Sequence, residues 1–591
     1  MQRLFGLTAL LTGSLAMAGP ASTGDAPVIS DMEMLATLPG RLVCRGQEGA
    51  AKALKARLAS AEALSLAQGM GASRMALYDA IPASDLPLGD IDPLARRYFD
   101  QGLALAYGFN HRAAIRSFRH AQAIDPSCAM CWWGVAMASG PNINAGMSEA
   151  ENAAALEAMA MAQRLAANAP PQAQELIAAQ ALRFSSDAGP DRAPLDQAYA
   201  NAMIALARKY PDGDDLAVLA AESAMNTAPW NYWDLPSGEP RPLIGDAVDL
   251  IETVSTRSPA HPQASHLYIH LLELPEPERA EAAADRLRAS GPATLGHLVH
   301  MPSHIYYRVG RYADSAAVNR DAVRADEAYL ASVGDDGMVR YGYYPHNVHF
   351  LLTSAQMMGD VDTVLTQSAR LSQIVDEETG RDLPWVQSIY AAPFFALAQY
   401  GSPASVLALT DDPHPLPFVD ALRHYARAVG MARMKDGAGF DRELAALNAA
   451  RASQGIADLE AMEFPAGAIL DLAAEVARGR QRLVLGDAKG AIPHFERAVA
   501  LEKAIPYNEP PFWYYPVSQS LGAALFMAGR HDDARGAFRQ ALFEAPNDAL
   551  ALYGLAQTEK ALGHDREAAV ARKAFSEIWM GPETGMDMTI I

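Results

Sequence analysis

Cysteine is nearly absent. Cys44, Cys128 and Cys131 are the only three in 591 residues, which excludes a disulfide framework. Basic charge is short as well: 48 Lys and Arg face 69 Asp and Glu, for a net charge of −21. Phosphate backbones need a clustered cationic surface, so nucleic acid is not expected as a partner, and adsorption to anionic lipid is disfavoured. Beyond the first residues no apolar run approaches the roughly 18 residues that a membrane span needs, so no membrane insertion is expected. Aromatics make up only 8% of the chain, which with abundant alanine suits closely packed helices. Nucleophile elbows, phosphate loops and dinucleotide-binding glycine patterns are missing from suitable contexts, so serine-nucleophile and nucleotide chemistry are not indicated.

The opening residues MQRLFGLTALLTGSLAMAGP have the order of a secretory leader. Arg3 supplies the basic start, Leu4 to Leu15 the apolar stretch, and Ala16-Met17-Ala18 a small-x-small cleavage site. Residues 1–18 are therefore expected to be a signal peptide, and the mature protein periplasmic or secreted. In an oxidising compartment three cysteines allow one bridge, and Cys44 with either Cys128 or Cys131 is the expected pairing. Cys128 and Cys131 form a CxxC, but Trp132 stands where c-type haem attachment needs histidine. No βαβ pattern supports a thioredoxin-like role.

What the chain does contain is an internal repeat. Counting Ala95 as position 1, Tyr98, Gly102, Ala114, Phe118, Ala121 and Pro126 fall at positions 4, 8, 20, 24, 27 and 32. The phase continues through Trp132 and Ala136, and it returns as Gly522, Ala534, Phe538, Ala541 and Pro546, then Leu552, Ala556 and Ala568. The segments GRYADSAAVNRDAV (310–323) and GRHDDARGAFRQAL (529–542) share an inter-helix turn and second helix. On these positions residues 94–580 resemble the tetratricopeptide repeat family, whose 34-residue unit is a helix-turn-helix. The resemblance implies an all-α, right-handed solenoid with the first helix of each unit lining a concave, ligand-binding face. We read residues 19–93 as an N-terminal cap region, 94–260 as N-terminal repeats, 261–360 as histidine-bearing repeats, 361–580 as C-terminal repeats and 581–591 as a tail.

Histidine is concentrated where that face should run. Eight of fifteen histidines lie between His261 and His349. Seven occur at helical spacings: His266 and His270 in HLYIH, His297, His300 and His304 in HLVHMPSH, and His346 and His349 in HNVH. Residues three, four or seven apart share a helix face, and imidazole is the commonest side-chain metal ligand. Aligning the two GRY/GRH turns puts these residues on three successive first helices. The same alignment places Gln519 and Ala523 opposite His300 and His304, so the repeat itself does not demand histidine there. His261, before Pro262, reads as a cap or turn residue.

The seven histidines are therefore expected to bind metal, with His266, His270 and His304 coordinating and His300 or one of His346 and His349 joining them. Copper stands slightly ahead of zinc, and of a histidine–carboxylate iron site using Glu273, because Met301 lies in the block and no cysteine does. HLYIH lacks the glutamate of a zinc-protease helix. Tyr306, Tyr307 and Glu273 are the candidate catalytic groups. Pro302 should bend its helix and turn His304 relative to His300, or simply follow the superhelix. GPNIN (140–144) and PWNYWD (229–234) fit the rim or floor of a groove, or loops held by side-chain-to-backbone bonds. The block HLVHMPSHIYYRVGRY with YYPHNVHFL also resembles a group of exported bacterial repeat proteins that carries no assigned reaction. Three functions remain open: an exported metal-dependent enzyme acting on a small molecule in the concave groove, a copper- or zinc-delivery protein, and a peptide-binding adapter without metal.

Overall fold

The computed structural model describes residues 75–591, apart from 188–190, 235–236, 335–336, 375–376, 383 and 409–412. The expected leader, most of the 19–93 segment and Cys44 lie outside the described residues. From Pro93 onward, helices joined by short turns pack each on the next. The first are α1 (Pro93–Tyr107), α2 (His111–Ile124) and α3 (Ala129–Ser139). Among the described residues the only ladder is a two-residue antiparallel pairing, Trp233 with Pro240 and Asp234 with Glu239. The molecule is an all-α, tetratricopeptide-like solenoid of helix-turn-helix repeats. No helix among the described residues is long and apolar enough to cross a membrane.

The repeat positions explain the packing. Phe118, on α2, is fully buried between Gly102 of α1 and Gly134 of α3, where an added Cβ would lie 2.7 and 2.6 Å from its ring. Only glycine lets both neighbouring helices approach that ring. Phe538 repeats the device against Gly522 and Gly554. Helix starts follow local chemistry: Asp92 caps α1 ahead of Pro93, and the Asn110 side chain accepts from Ala113 N to cap α2.

The cysteines differ from expectation. Cys128 and Cys131 are bonded to each other, which takes both out of any pairing with Cys44. Cys128 is the N-cap of α3 and Cys131 follows within the first turn, so their Cα atoms lie 5.4 Å apart, inside bridging range.

The site is built by α4 (Pro262–Leu272), α5 (Pro277–Ser290), α6 (Gly296–His300), α7 (Pro302–Arg308), α8 (Tyr312–Val333) and α9 (Tyr344–Met358). The later repeats curl back onto this group. Tyr307 Oη donates to the Tyr514 carbonyl at 3.1 Å, Asn547 Nδ2 to the Gly310 carbonyl at 3.2 Å, and Met580 N to the Met358 carbonyl at 2.8 Å. The early repeats reach it too, through Arg116 Nη2 donating to Tyr329 Oη at 2.7 Å. A solenoid that touches itself this way encloses its concave face.

Candidate metal centre

Every residue of α4 is buried: the helix packs against its repeat partner α5, the two helices preceding it (Asp214–Met225 and Ile244–Arg257) and α7, and Phe109 lies on its histidines. His261 caps it, Nδ1 accepting from Ala264 N, and Pro262 occupies the first turn where a missing N–H costs nothing. One turn on, His266 and His270 project together. The next histidine helix is divided at Met301 into α6 and α7, with Pro302 opening the second piece. α9 brings the third row.

The structure gathers six of the seven predicted histidines into two groups of three. Ligand nitrogens of His266, His270 and His297 all lie within 4.8 Å of one another, and so do those of His300, His304 and His346. The division differs from the expected set: His304 joins His300 and His346, and His297 takes its place beside His266 and His270. The seventh, His349, belongs to neither group, its Nε2 lying 2.7 Å from Tyr514 Oη, although it borders the same cavity as the others.

Tautomers follow from the hydrogen bonds. Asn319 Nδ2 donates to the Ser315 carbonyl, so Asn319 Oδ1, 2.7 Å from His300 Nδ1, is an acceptor and that nitrogen carries the proton. Gln263 Nε2 donates to Glu222, so Gln263 Oε1 must accept from His266 Nδ1 at 2.9 Å. In both rings Nε2 is left with a bare lone pair. His304 Nδ1 sits 2.7 Å from Glu273 Oε2, an ion pair set off the line of an ideal hydrogen bond, and His270 Nδ1 is 3.5 Å from Oε1 of the same carboxylate. Outer partners of this kind orient histidines toward metal ions. The Nε2 atoms of His300 and His304 then face each other at 2.9 Å. Two imidazole nitrogens on one ion, each about 2.0–2.1 Å from it, stand about 2.9–3.4 Å apart. The slot fits a shared ion, or a single proton in its place.

Other nitrogens are buried without a hydrogen-bond partner: His266 Nε2 and both nitrogens of His270 and of His297. Leaving such groups unpaired costs about 1–3 kcal/mol each, and an ion removes the deficit. Burial, reinforced by neighbouring imidazoles, holds His266, His297, His300 and His346 well below the ordinary histidine range, so they are neutral and able to ligate; for His266 only the Tyr107 carbonyl works the other way. Burial also pulls His304 down, but Glu273 overrides it and the net shift is upward. Burial pushes Glu273 up, yet His304 and His270 bring it to about 2, so the carboxylate is ionised. A histidine cluster able to chelate metal is thus present.

A cavity of about 1160 Å³, its open mouth included, borders His270, His297, His304 and His346. Among the described residues its walls contain no lysine or arginine. Trp230, Trp385, Tyr343 and Phe512 supply aromatic surface, and Asn144, Glu463 and Glu509 polar groups. Phe109 packs on His266, His270 and His297 with ring centroids 4.7, 6.2 and 5.3 Å away, and Trp230 meets His270 edge-on at 5.0 Å. Both aromatics hold left-handed backbone, at φ +53° and +61°, a strain of order 1–3 kcal/mol each that clusters at functional sites. Glu509 is buried, one oxygen accepting from Tyr507 Oη and the other unpartnered. Burial raises it to about 7, partly opposed by Arg308 and His304.

Of the candidate catalytic groups, Glu273 lies at the centre. Tyr306 does not: its hydroxyl donates to Asp285 Oδ1 at 2.7 Å beneath Arg311. Tyr307 is committed to the Tyr514 carbonyl. GPNIN divides between roles, Asn142 Oδ1 closing its own loop on Asn144 N and Ala145 N while Asn144 reaches the cavity. Glu509, Asn319, Gln263 and Phe109 were not singled out by sequence. Each lies in another repeat or in an ordinary helical context, and no spacing marks them.

No family model matches the chain, and no curated protein matches it. Among solved structures it is similar to a human IFIT1 dimer with m7Gppp-AAAA at 10% identity, over 90% of this chain and 95% of that one, with a TM-score of 0.29. An APC/C hetero-tetramer, Cut9–Hcn1, gives 13% identity over 83% and 94% with a TM-score of 0.27. Naa15/Naa10 bound to HypK-THB gives 12% over 84% and 89% with a TM-score of 0.19.

Proposed function

We propose that this protein is an exported, metal-dependent enzyme that acts on a small molecule held in the concave cavity, with copper ahead of zinc or iron at its histidines. The observation that carries the reading is the slot between His300 and His304: two Nε2 atoms 2.9 Å apart, each ring fixed from behind by Asn319 or Glu273. Sets of three imidazoles, rather than a closed set of four, leave a coordination position, and the cavity lies beside it. An ion there would activate water or dioxygen. Glu509, close to neutrality and hydrogen-bonded by Tyr507, is the group suited to give or take a proton. The leader-like residues 1–18 support export, and the acidic chain supports a substrate other than nucleic acid.

The cavity beside the ligands favours an enzyme over a delivery protein. Elemental analysis and an electronic spectrum of protein purified from its own compartment identify the ion. Water-proton relaxation of the Cu(II) form should then report an exchangeable water on the metal. Replacing His270 and His304 together by alanine should abolish bound metal and leave helical circular dichroism nearly unchanged. Full occupancy in that double variant, or a Cu(II) form with no exchangeable position, would overturn the proposal.

A further inference from the structure

The two histidine triads touch. Within them, ring centroids stand 4.8 to 6.3 Å apart, as for His300–His304 and His270–His297. Across the boundary His270–His304 is 5.8 Å and His297–His300 is 6.1 Å. Spacing between the groups is therefore no larger than spacing inside them. Yet the nitrogens sort into two sets of three that converge separately, which a single ion cannot use at once: six rings on α4, α6, α7 and α9 would need six nitrogens to meet at one point. Glu273 spans the boundary, one oxygen toward His270 of the first triad and the other toward His304 of the second. It is the only carboxylate paired with these rings among the described residues.

Charge decides what else the centre needs. Six neutral imidazoles contribute nothing, Glu273 contributes one negative charge, and a pair of divalent ions would leave a buried excess of three positive charges. Buried charge must be paired. Glu509 in the cavity wall supplies one more negative charge when ionised, and the rest of the balance would come from a ligand entering through the cavity that borders His270, His297, His304 and His346. Two-metal sites commonly clamp one small ligand between ions about 3.5–4 Å apart.

We infer that the two triads hold a pair of ions, one in each, and that the pair takes a small bridging anion of the hydroxide, peroxide or azide class from the cavity. This rests on the metal reading above and goes beyond it in stoichiometry, ligand and division of labour. His266, His270 and His297 serve one ion; His300, His304 and His346 serve the other.

The full-length protein is loaded with Cu(II), and copper per chain, EPR intensity and azide binding are measured. Two coppers per chain are expected, with EPR intensity far below the copper content because bridged ions couple, and one azide per pair. His297→Ala and His346→Ala should each keep one copper, recover the EPR signal of an isolated ion and weaken azide by about 10-fold or more. His346 is only half-buried, so its variant tests the second site even if the buried His297 substitution disturbs folding. Two coppers with full EPR intensity and independent azide binding would overturn the bridged pair. One copper per chain would also overturn it while leaving the metal reading intact, and no copper at all would sink both.

Discussion

At the scale of single residues the site depends on which atom of each imidazole faces inward, and that is set from behind. Asn319 holds the His300 Nδ1 proton at 2.7 Å while its own amide is anchored on Ser315. Asn319→Leu should therefore lower metal affinity by about 10–100-fold, measured by competition with a chelator, without loss of helical content. Unchanged affinity would show that packing alone orients His300. The seven histidines were legible because helical spacing is printed in the chain, and six of them converge. Their grouping was not legible. Placing His297 rather than His304 beside His266 depends on where α6 ends and α7 begins, and one helical turn changes the partner. Nor was Glu509 or Phe109: a residue that reaches the site from another repeat leaves no periodic trace, whereas Trp230, in the PWNYWD segment read as the rim or floor of a groove or as a held loop, lines the cavity.

At the scale of elements, Asp326 on α8 joins two histidine helices. It accepts from Asn347 Nδ2 of α9 at 2.7 Å and lies against Gly296 at the start of α6, where an added Cβ would stand 1.9 Å from Asp326 Oδ1. Gly296→Ala should cost about 1–3 kcal/mol of stability, the usual range for overpacking, read as a lower denaturant midpoint at unchanged slope. Burial raises the Asp326 carboxyl from 3.8 to about 8, against the pull of Asn347. The unfolded chain thus ionises first. Between about pH 4 and pH 8 the folded form holds a proton that the unfolded form has lost, so this group makes stability fall as pH rises and adds no further slope above pH 8. Asp326→Asn should flatten that part of the profile, seen in urea midpoints at pH 5 and pH 8. A slope identical to wild type would place the titration elsewhere. The helices themselves were legible from glycine, alanine and phenylalanine at fixed repeat positions; the Cys128–Cys131 bond was not, because a spacing of three suits a helix start as well as a redox or metal motif.

At the scale of the whole molecule, repeat proteins ordinarily transmit little between distant units, since each contacts only its neighbours. This chain is built otherwise. Phe109 from the first repeat lies on the first triad, the 506–512 segment walls the same cavity, and Asn547 and Met580 bond back to Gly310 and Met358. Ligands come from three consecutive repeats, while their surroundings come from both ends. Metal binding should accordingly stabilise the closed superhelix as one unit. The gain follows mass action, about 2.7 kcal/mol when free metal is 100 times the dissociation constant, and it should shrink as pH falls because protonated imidazole cannot ligate. Hydrogen exchange gives the sharper test. Added metal should slow exchange in α4, α6, α7 and α9, and also around Phe109 and residues 506–512, which supply no ligand. The His270→Ala, His304→Ala double variant should show none of these changes. Protection confined to the histidine helices would mean that the ends of the solenoid rest on the site without being coupled to it.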